Sequence, residues 1–170
     1  NDAGQLQPVV MRNLGNNDRG VPSFSSIPRD RLVGYYAAAP LADFDRDGRM
    51  DCFMAAWFKW DETPSILFRN VTEGGNWLSV RVKGAGRWNT MGIGAVVRVY
   101  EPGRAGDYKG LIQRHDIVVG AGYASGEEAL AHVGLARRTE VDVEIRWGGE
   151  TRVLPRQSVN RMLTVDWKQE

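Results

Sequence analysis

Three features of the 170-residue sequence point to an all-β protein. Gly (20) and Pro (7) together exceed ordinary usage, which favours many turns and short strands. Strict apolar–polar alternation recurs, with Leu78, Val80 and Val82 set against Ser79, Arg81 and Lys83, and Val141, Val143, Ile145 and Trp147 against Asp142, Glu144 and Arg146. Gly148 and Gly149 then stand where a two-residue hairpin turn needs positive φ. The architecture expected is a four-stranded antiparallel sheet packed on, or linked to, a small β-sandwich or barrel of about six strands.

Taken in order, residues 8–13, 32–38, 52–57 and 65–70 are four short strand candidates, enough for the first sheet. Within them Val10-Met11-Arg12-Asn13-Leu14 resembles Leu67-Phe68-Arg69-Asn70-Val71, a spacing in the range of structural repeats. Glu73-Gly74-Gly75-Asn76 marks a boundary between a first unit, 1–75, and a second, 76–170. In the second unit the two alternating runs are read as half-buried antiparallel strands. Segments 95–100, 111–119, 151–154 and 161–167 bring the strands there to six, and only 126–131 could be a short helix.

Charge excludes several function classes. Lys plus Arg is 22 against 21 for Asp plus Glu, a net charge of +1, which provides no field to hold nucleic acid or an anionic membrane. A single Cys52 cannot form an internal disulfide, and with only His115 and His132 beside it no tetrahedral zinc set is available. No apolar run approaches the roughly 18 residues that span a bilayer, so no membrane insertion is expected. The chain opens at Asn1 in polar sequence, which suggests a piece excised from a longer parent.

The segment that carries chemistry is Asp43-Phe44-Asp45-Arg46-Asp47-Gly48-Arg49-Met50-Asp51. Carboxylates at positions 1, 3, 5 and 9, with Gly at 6 for the sharp turn, let one chain curl around a hard cation. Arg49, at position 7, would offer its backbone carbonyl. Four carboxylates in nine residues repel one another without a counter-ion, and an all-oxygen ligand set selects Ca²⁺ over transition metals and over Mg²⁺. Position 12, where an EF-hand places a bidentate Glu, is Met54, and an apolar run follows, so the loop is of another class. The alternative is a solvated acidic turn that holds no ion.

Residues 40–55 resemble the FG-GAP or VCBS repeat, the calcium-loop blade of integrin-like β-propellers, and Arg12-Asn13 and Arg69-Asn70 resemble the strand that follows its loop. From Asn76-Trp77-Leu78 through Gly92-Ile93-Gly94-Ala95 and His132-Val133-Gly134-Leu135 to Val143-Glu144-Ile145-Arg146-Trp147, the second unit resembles the ASPIC/UnbV domain. That domain follows such repeats in cartilage acidic protein and in secreted bacterial proteins. The resemblance implies a propeller-blade-like first sheet, structural Ca²⁺ held by Asp43, Asp45, Asp47, Asp51 and the Arg49 carbonyl, and no catalytic residues. It also implies a secreted, periplasmic or envelope location and further blades in a longer parent chain. Such a blade cannot bury its faces alone, so it is expected to pack on the sandwich through Phe53, Trp57 or Phe58, or to expose a face.

The other signals weigh as structure. His115 and His132 stand on strand-like segments without a nucleophile setting, and His132 is expected to pin a turn. Cys52 reads as a buried, inert thiol, and Gly84-Ala85-Gly86 and Gly92-Ile93-Gly94 as turns. Of six tryptophans most should be core, with Trp88, between Arg87 and Asn89, the best candidate for an exposed contact to a sugar or protein. Asn70-Val71-Thr72 fits an N-glycosylation acceptor. The function expected is a non-enzymatic, calcium-stabilised module for adhesion or for recognition of a protein or glycan. The rival is an accessory or catalytic domain of a bacterial biosynthetic or envelope enzyme, which would show as a polar cleft around Glu127, Glu128 and His132.

Overall fold

A computed structural model describes residues 11–26, 36–56, 64–120 and 122–168. The segments around Trp57, Phe58 and Trp60, and most of 32–38, lie outside the described residues. What is described is all-β apart from one 3-10 turn, Tyr108–Gly110, and contains no closed barrel. No helix among the described residues is long and apolar enough to cross a membrane.

The first strands are β1 (Met11–Asn16) and β2 (Pro22–Ser26), an antiparallel hairpin whose side chains are almost all exposed. Its turn is organised by Asn17, whose Oδ1 accepts from the backbone amides of Arg19 (3.0 Å) and Val21 (3.1 Å). The hairpin is a sheet of its own, so residues 11–13, the described part of the expected strand 8–13, do not join the four-stranded sheet expected from sequence. That sheet is instead built from β3 (Tyr36–Ala38), β4 (Leu41–Ala42), β5 (Asp51–Ala56) and β6 (Ile66–Phe68). Both β3 and β4 pair with one edge of β5, and β6 with the other. Pro40, lacking an N–H, interrupts the first edge, while its carbonyl still accepts from Phe53 N at 3.1 Å. One broken strand thus reads as two.

The remaining strands form a seven-stranded sandwich. One sheet has the order β10 (Ala131–Ala136), β7 (Asn76–Gly84), β13 (Arg161–Trp167). The other runs β12 (Glu150–Ser158), β11 (Glu140–Trp147), β8 (Val96–Tyr100), β9 (Leu111–Asp116). Leu78, Val80 and Val82 on β7 and Val141, Val143 and Ile145 on β11 are fully buried in one shared core, as alternation requires. Each such side chain contributes about 1.5–3 kcal/mol of transfer free energy.

Three expectations are corrected here. Asp142 and Glu144, read as the outward face of a half-buried strand, are buried as well. Their carboxylates are satisfied: Asp142 accepts from the amides of Gly103 (2.8 Å) and Arg156 (2.9 Å), and Glu144 pairs with Arg98 at 2.8 Å. Second, β13 lies parallel to β7, because the chain crosses between sheets at Asn160. The Asn160 amide donates to Trp77 O (2.6 Å), and Asn160 Oδ1 accepts from Trp77 N (3.1 Å). Alternation reports which face is buried and is silent on strand direction. Third, 126–131 is no helix: Gly126 bridges Gly120, and β10 begins at Ala131.

Candidate metal centre and adjoining cleft

The acidic loop joins β4 to β5 and is curled by its own carboxylates. Asp43 accepts from the amides of Asp47 (3.0 Å) and Gly48 (2.9 Å), and Asp47 from that of Arg49 (2.9 Å). Asp51, only 2% exposed, accepts from Phe44 N (3.0 Å) and from Asn70 N (2.7 Å), which ties the loop to the end of β6. Gly48 supplies the turn at φ 89°.

The fold brings Asp43, Asp45 and Asp51 together, one carboxylate oxygen from each lying within 4.8 Å of the others. Asp47 is turned elsewhere, to the guanidinium of Arg49 and, at 3.5 Å, to that of Arg69. Burial pushes the Asp47 pKa up, but the bond from the Arg49 amide and the charge of its guanidinium outweigh that and leave it lowered. Arg49, expected to offer its carbonyl, also donates through Nε to Asn70 O at 2.9 Å. Arg69, held at 2.6 Å by Asp45, has its pKa raised by that bond and by the charge of Asp45. These two guanidinium groups supply part of the counter-charge that local spacing assigns wholly to a cation. Arg69 is legible in sequence only through the Arg-Asn echo, since its approach is made by β6.

The three clustered aspartates are hard oxygen donors and so fit Ca²⁺ in kind. The bonds of Asp43 and Asp51 to backbone amides, and that of Asp45 to the Arg69 guanidinium, are compatible with ligation, because each carboxylate oxygen has a second lone pair.

The loop is docked on the sandwich through Gly48. His132, on β10, has Nε2 3.1 Å from Gly48 O and Nδ1 2.9 Å from Ser79 Oγ. A carbonyl only accepts, so Nε2 carries the proton and, in the neutral ring, Nδ1 accepts from the serine hydroxyl. The turn that His132 pins is therefore that of the acidic loop. Trp77 stacks on the imidazole, with centroids 5.8 Å apart at 18°. A Cβ on Gly48 would stand 2.0 Å from Trp77 Cδ1, so the loop approaches this closely only because residue 48 is glycine. At the other side of the contact, Leu41 N donates to Glu127 Oε1 at 3.2 Å. Docking thus runs through the loop, while Phe53, the described member of the expected contact set, stays 37% exposed.

Between loop and sandwich lies a cleft of about 410 Å³. Leu41, Arg46 and Met50 form one side, His115, Asp116, Glu127 and Glu128 another, and Trp77, His132 and Met162 also line it. Glu127, Glu128 and His132, which share no diagnostic spacing in sequence, are thus gathered, and His115 joins them from the end of β9. Glu128 pairs with Arg81, and Asp116 with Arg114 at 2.8 Å.

Elsewhere, Arg87 and Asn89 are exposed and Trp88 is half-buried. Trp88 packs on Trp147 (4.8 Å) and edge-on to Trp167 (6.3 Å), with Arg87 over its ring and paired to Glu150 at 2.9 Å. Asn89 Oδ1 caps the amides of Met91 and Ile93, so this Gly-rich stretch is turn chemistry. Cys52 is half-buried, where a buried thiol was expected; its cross-strand partner Phe68 is itself 36% exposed. The sequon residue Asn70 donates its side-chain amide to Met50 O at 3.3 Å.

No curated protein matches the chain. Comparison with known families matches residues 85–170 to ASPIC and UnbV. The matched stretch takes in β8 to β13 and the loop carrying Glu127 and Glu128. Half of the chain and six of the seven sandwich strands being covered, the protein belongs to the ASPIC and UnbV family.

Proposed function

We propose that the protein is a non-enzymatic, calcium-binding module of a secreted, periplasmic or envelope-associated chain, serving adhesion or recognition of a protein or glycan. The observation that carries this is the convergence of Asp43, Asp45 and Asp51 on a loop locked to the sandwich through Gly48. When bound, Ca²⁺ would neutralise these carboxylates and stiffen the contact on which the cleft depends. The resemblance of 40–55 to an FG-GAP or VCBS blade supports the same reading, with the unit 1–75 as part of a propeller and 76–170 as the ASPIC/UnbV unit. In that arrangement Arg12-Asn13 would serve a preceding loop as Arg69-Asn70 serves this one.

Thermal unfolding in excess EDTA, in millimolar Ca²⁺ and in millimolar Mg²⁺ tests it. A Tm rise specific to Ca²⁺ is expected, growing as free Ca²⁺ exceeds its Kd, with a stabilisation of about 2.7 kcal/mol at a hundredfold excess. Asp45→Ala should abolish the gain. An unchanged calcium response in that variant would remove the assignment.

The cleft favours a second reading, an accessory or catalytic domain. Against acid–base chemistry there, His132 has both ring nitrogens engaged, and Glu128 and Asp116 are ion-paired. Recognition makes better use of such a surface.

A further inference from the structure

The cleft is the least explained feature of the molecule. Its volume of about 410 Å³ lies within the range of small-molecule sites, about 300–1,000 Å³. Met50, Trp77, Leu130 and Met162 give it an apolar interior, and its charges are unevenly compensated. Glu128 and Asp116 are neutralised by Arg81 and Arg114, and Asp43 belongs to the acidic loop. What remains is Glu127, whose Oε1 takes the Leu41 amide and whose Oε2 has no partner among the described residues. Two guanidinium groups that line the same cleft form no ion pair among the described residues. Arg161 is held by neutral acceptors, Ser158 O (3.1 Å) and Gln157 Oε1 (2.9 Å). Arg46 makes no hydrogen bond or ion pair among the described residues.

An apolar cleft that presents an uncompensated carboxylate and uncompensated guanidinium groups complements a ligand with both charges on an apolar body. We propose that it binds a zwitterion of the amino-acid type, either a free apolar amino acid or a short peptide with free termini. The ammonium is received by Glu127, the carboxylate by Arg46 with Arg161, and the side chain by the surface around Trp77 and Met162. A guanidinium receives a carboxylate through two parallel N–H donors, and a carboxylate receives an ammonium by charge-assisted bonds; each is stronger than a neutral hydrogen bond. A ligand with one charge would leave the opposite group to solvent and forgo its charge-assisted bond.

The proposal rests on the recognition reading; the ligand groups it names do not themselves hold the metal, and a bound Ca²⁺ would stiffen the loop that carries Arg46. Calorimetric titration of the full chain with leucine, phenylalanine and leucyl-leucine, each beside its N-acetyl and C-terminal amide forms, tests it. The free zwitterions should bind at least about tenfold more tightly than either blocked form, the factor expected of one charge-assisted bond. Glu127→Gln keeps the acceptor for Leu41 N and should cost about the same factor with free-amine ligands and nothing with the N-acetyl forms. Arg46→Gln should do the converse with the amides. Tighter binding of leucyl-leucine than of leucine would identify peptide termini as the source, and the reverse a free amino acid. Equal binding of blocked and free forms, or no saturation by any zwitterion at millimolar concentration, overturns the proposal. Should a variant fail to fold, the blocked ligands on the unaltered chain decide alone. Hydrolysis of leucyl-leucine would overturn the non-enzymatic reading and leave the ligand class standing, and a Tm insensitive to Ca²⁺ would overturn only the metal reading.

Discussion

Gly48 shows how much one residue decides. It makes the left-handed turn inside the acidic loop, and its missing side chain admits Trp77. Gly48→Ala would cost about 1–2 kcal/mol in backbone strain alone, with a clash against the indole added. A drop in Tm with a weakened calcium response is expected, read by melting with and without Ca²⁺. An unchanged melt would mean that the loop is not seated on Trp77. His132 completes the same contact from β10, and both its nitrogens serve structure. The spacing of the loop reveals the crowding of its carboxylates and only part of the relief, because Arg49 pairs with Asp47 from within the loop whereas Arg69 reaches Asp45 from the end of β6. Local spacing carries no information on a side chain delivered by another strand.

Strand β11 is legible from Val141 to Trp147 as an alternating run, and the alternation misjudges its second face. Asp142 is 2% exposed because its carboxylate gathers the amide of Gly103, in the turn after β8, and that of Arg156, at the bulge where β12 slips register against β11. Asp142→Ala would strand those two amides at about 1–3 kcal/mol each, less whatever water can restore. Urea denaturation should therefore show a midpoint clearly below that of the unaltered chain. Less than about 0.5 kcal/mol of loss would mean that water reaches both amides. The hairpin at Gly148-Gly149 and the strand 161–167 are readable because turn chemistry and period-2 burial are local. The parallel docking of β13 on β7 is not, since it depends on Asn160 meeting Trp77 across the fold.

Over the whole molecule, burial is uneven. The sandwich has one closed core, whereas β1, β2 and the sheet around β5 leave large apolar side chains in solvent. Phe53 and Leu67 are cross-strand partners on one face, 37% and 54% exposed. Leu67→Lys should reduce fluorescent-dye binding to exposed apolar surface, and any self-association seen by light scattering, while Tm stays within the error of the unaltered chain. A large Tm loss would show that this face is buried in solution. Docking on the sandwich and an exposed face are therefore not exclusive here, because the loop makes the contact while the Phe53–Leu67 face of the sheet stays exposed.

Composition, alternation and glycine placement are enough for the all-β class, for most sandwich strands and for the Asp43–Asp51 loop, because each rests on interactions between residues near in sequence. The pairing of Arg69 with Asp45, the bridge from Ser79 through His132 to Gly48, and the cleft holding Arg46 and Glu127 all join residues from different strands. Those contacts exist only after the sheets pack, since it is packing that sets the distances on which charge compensation and ligand complementarity depend.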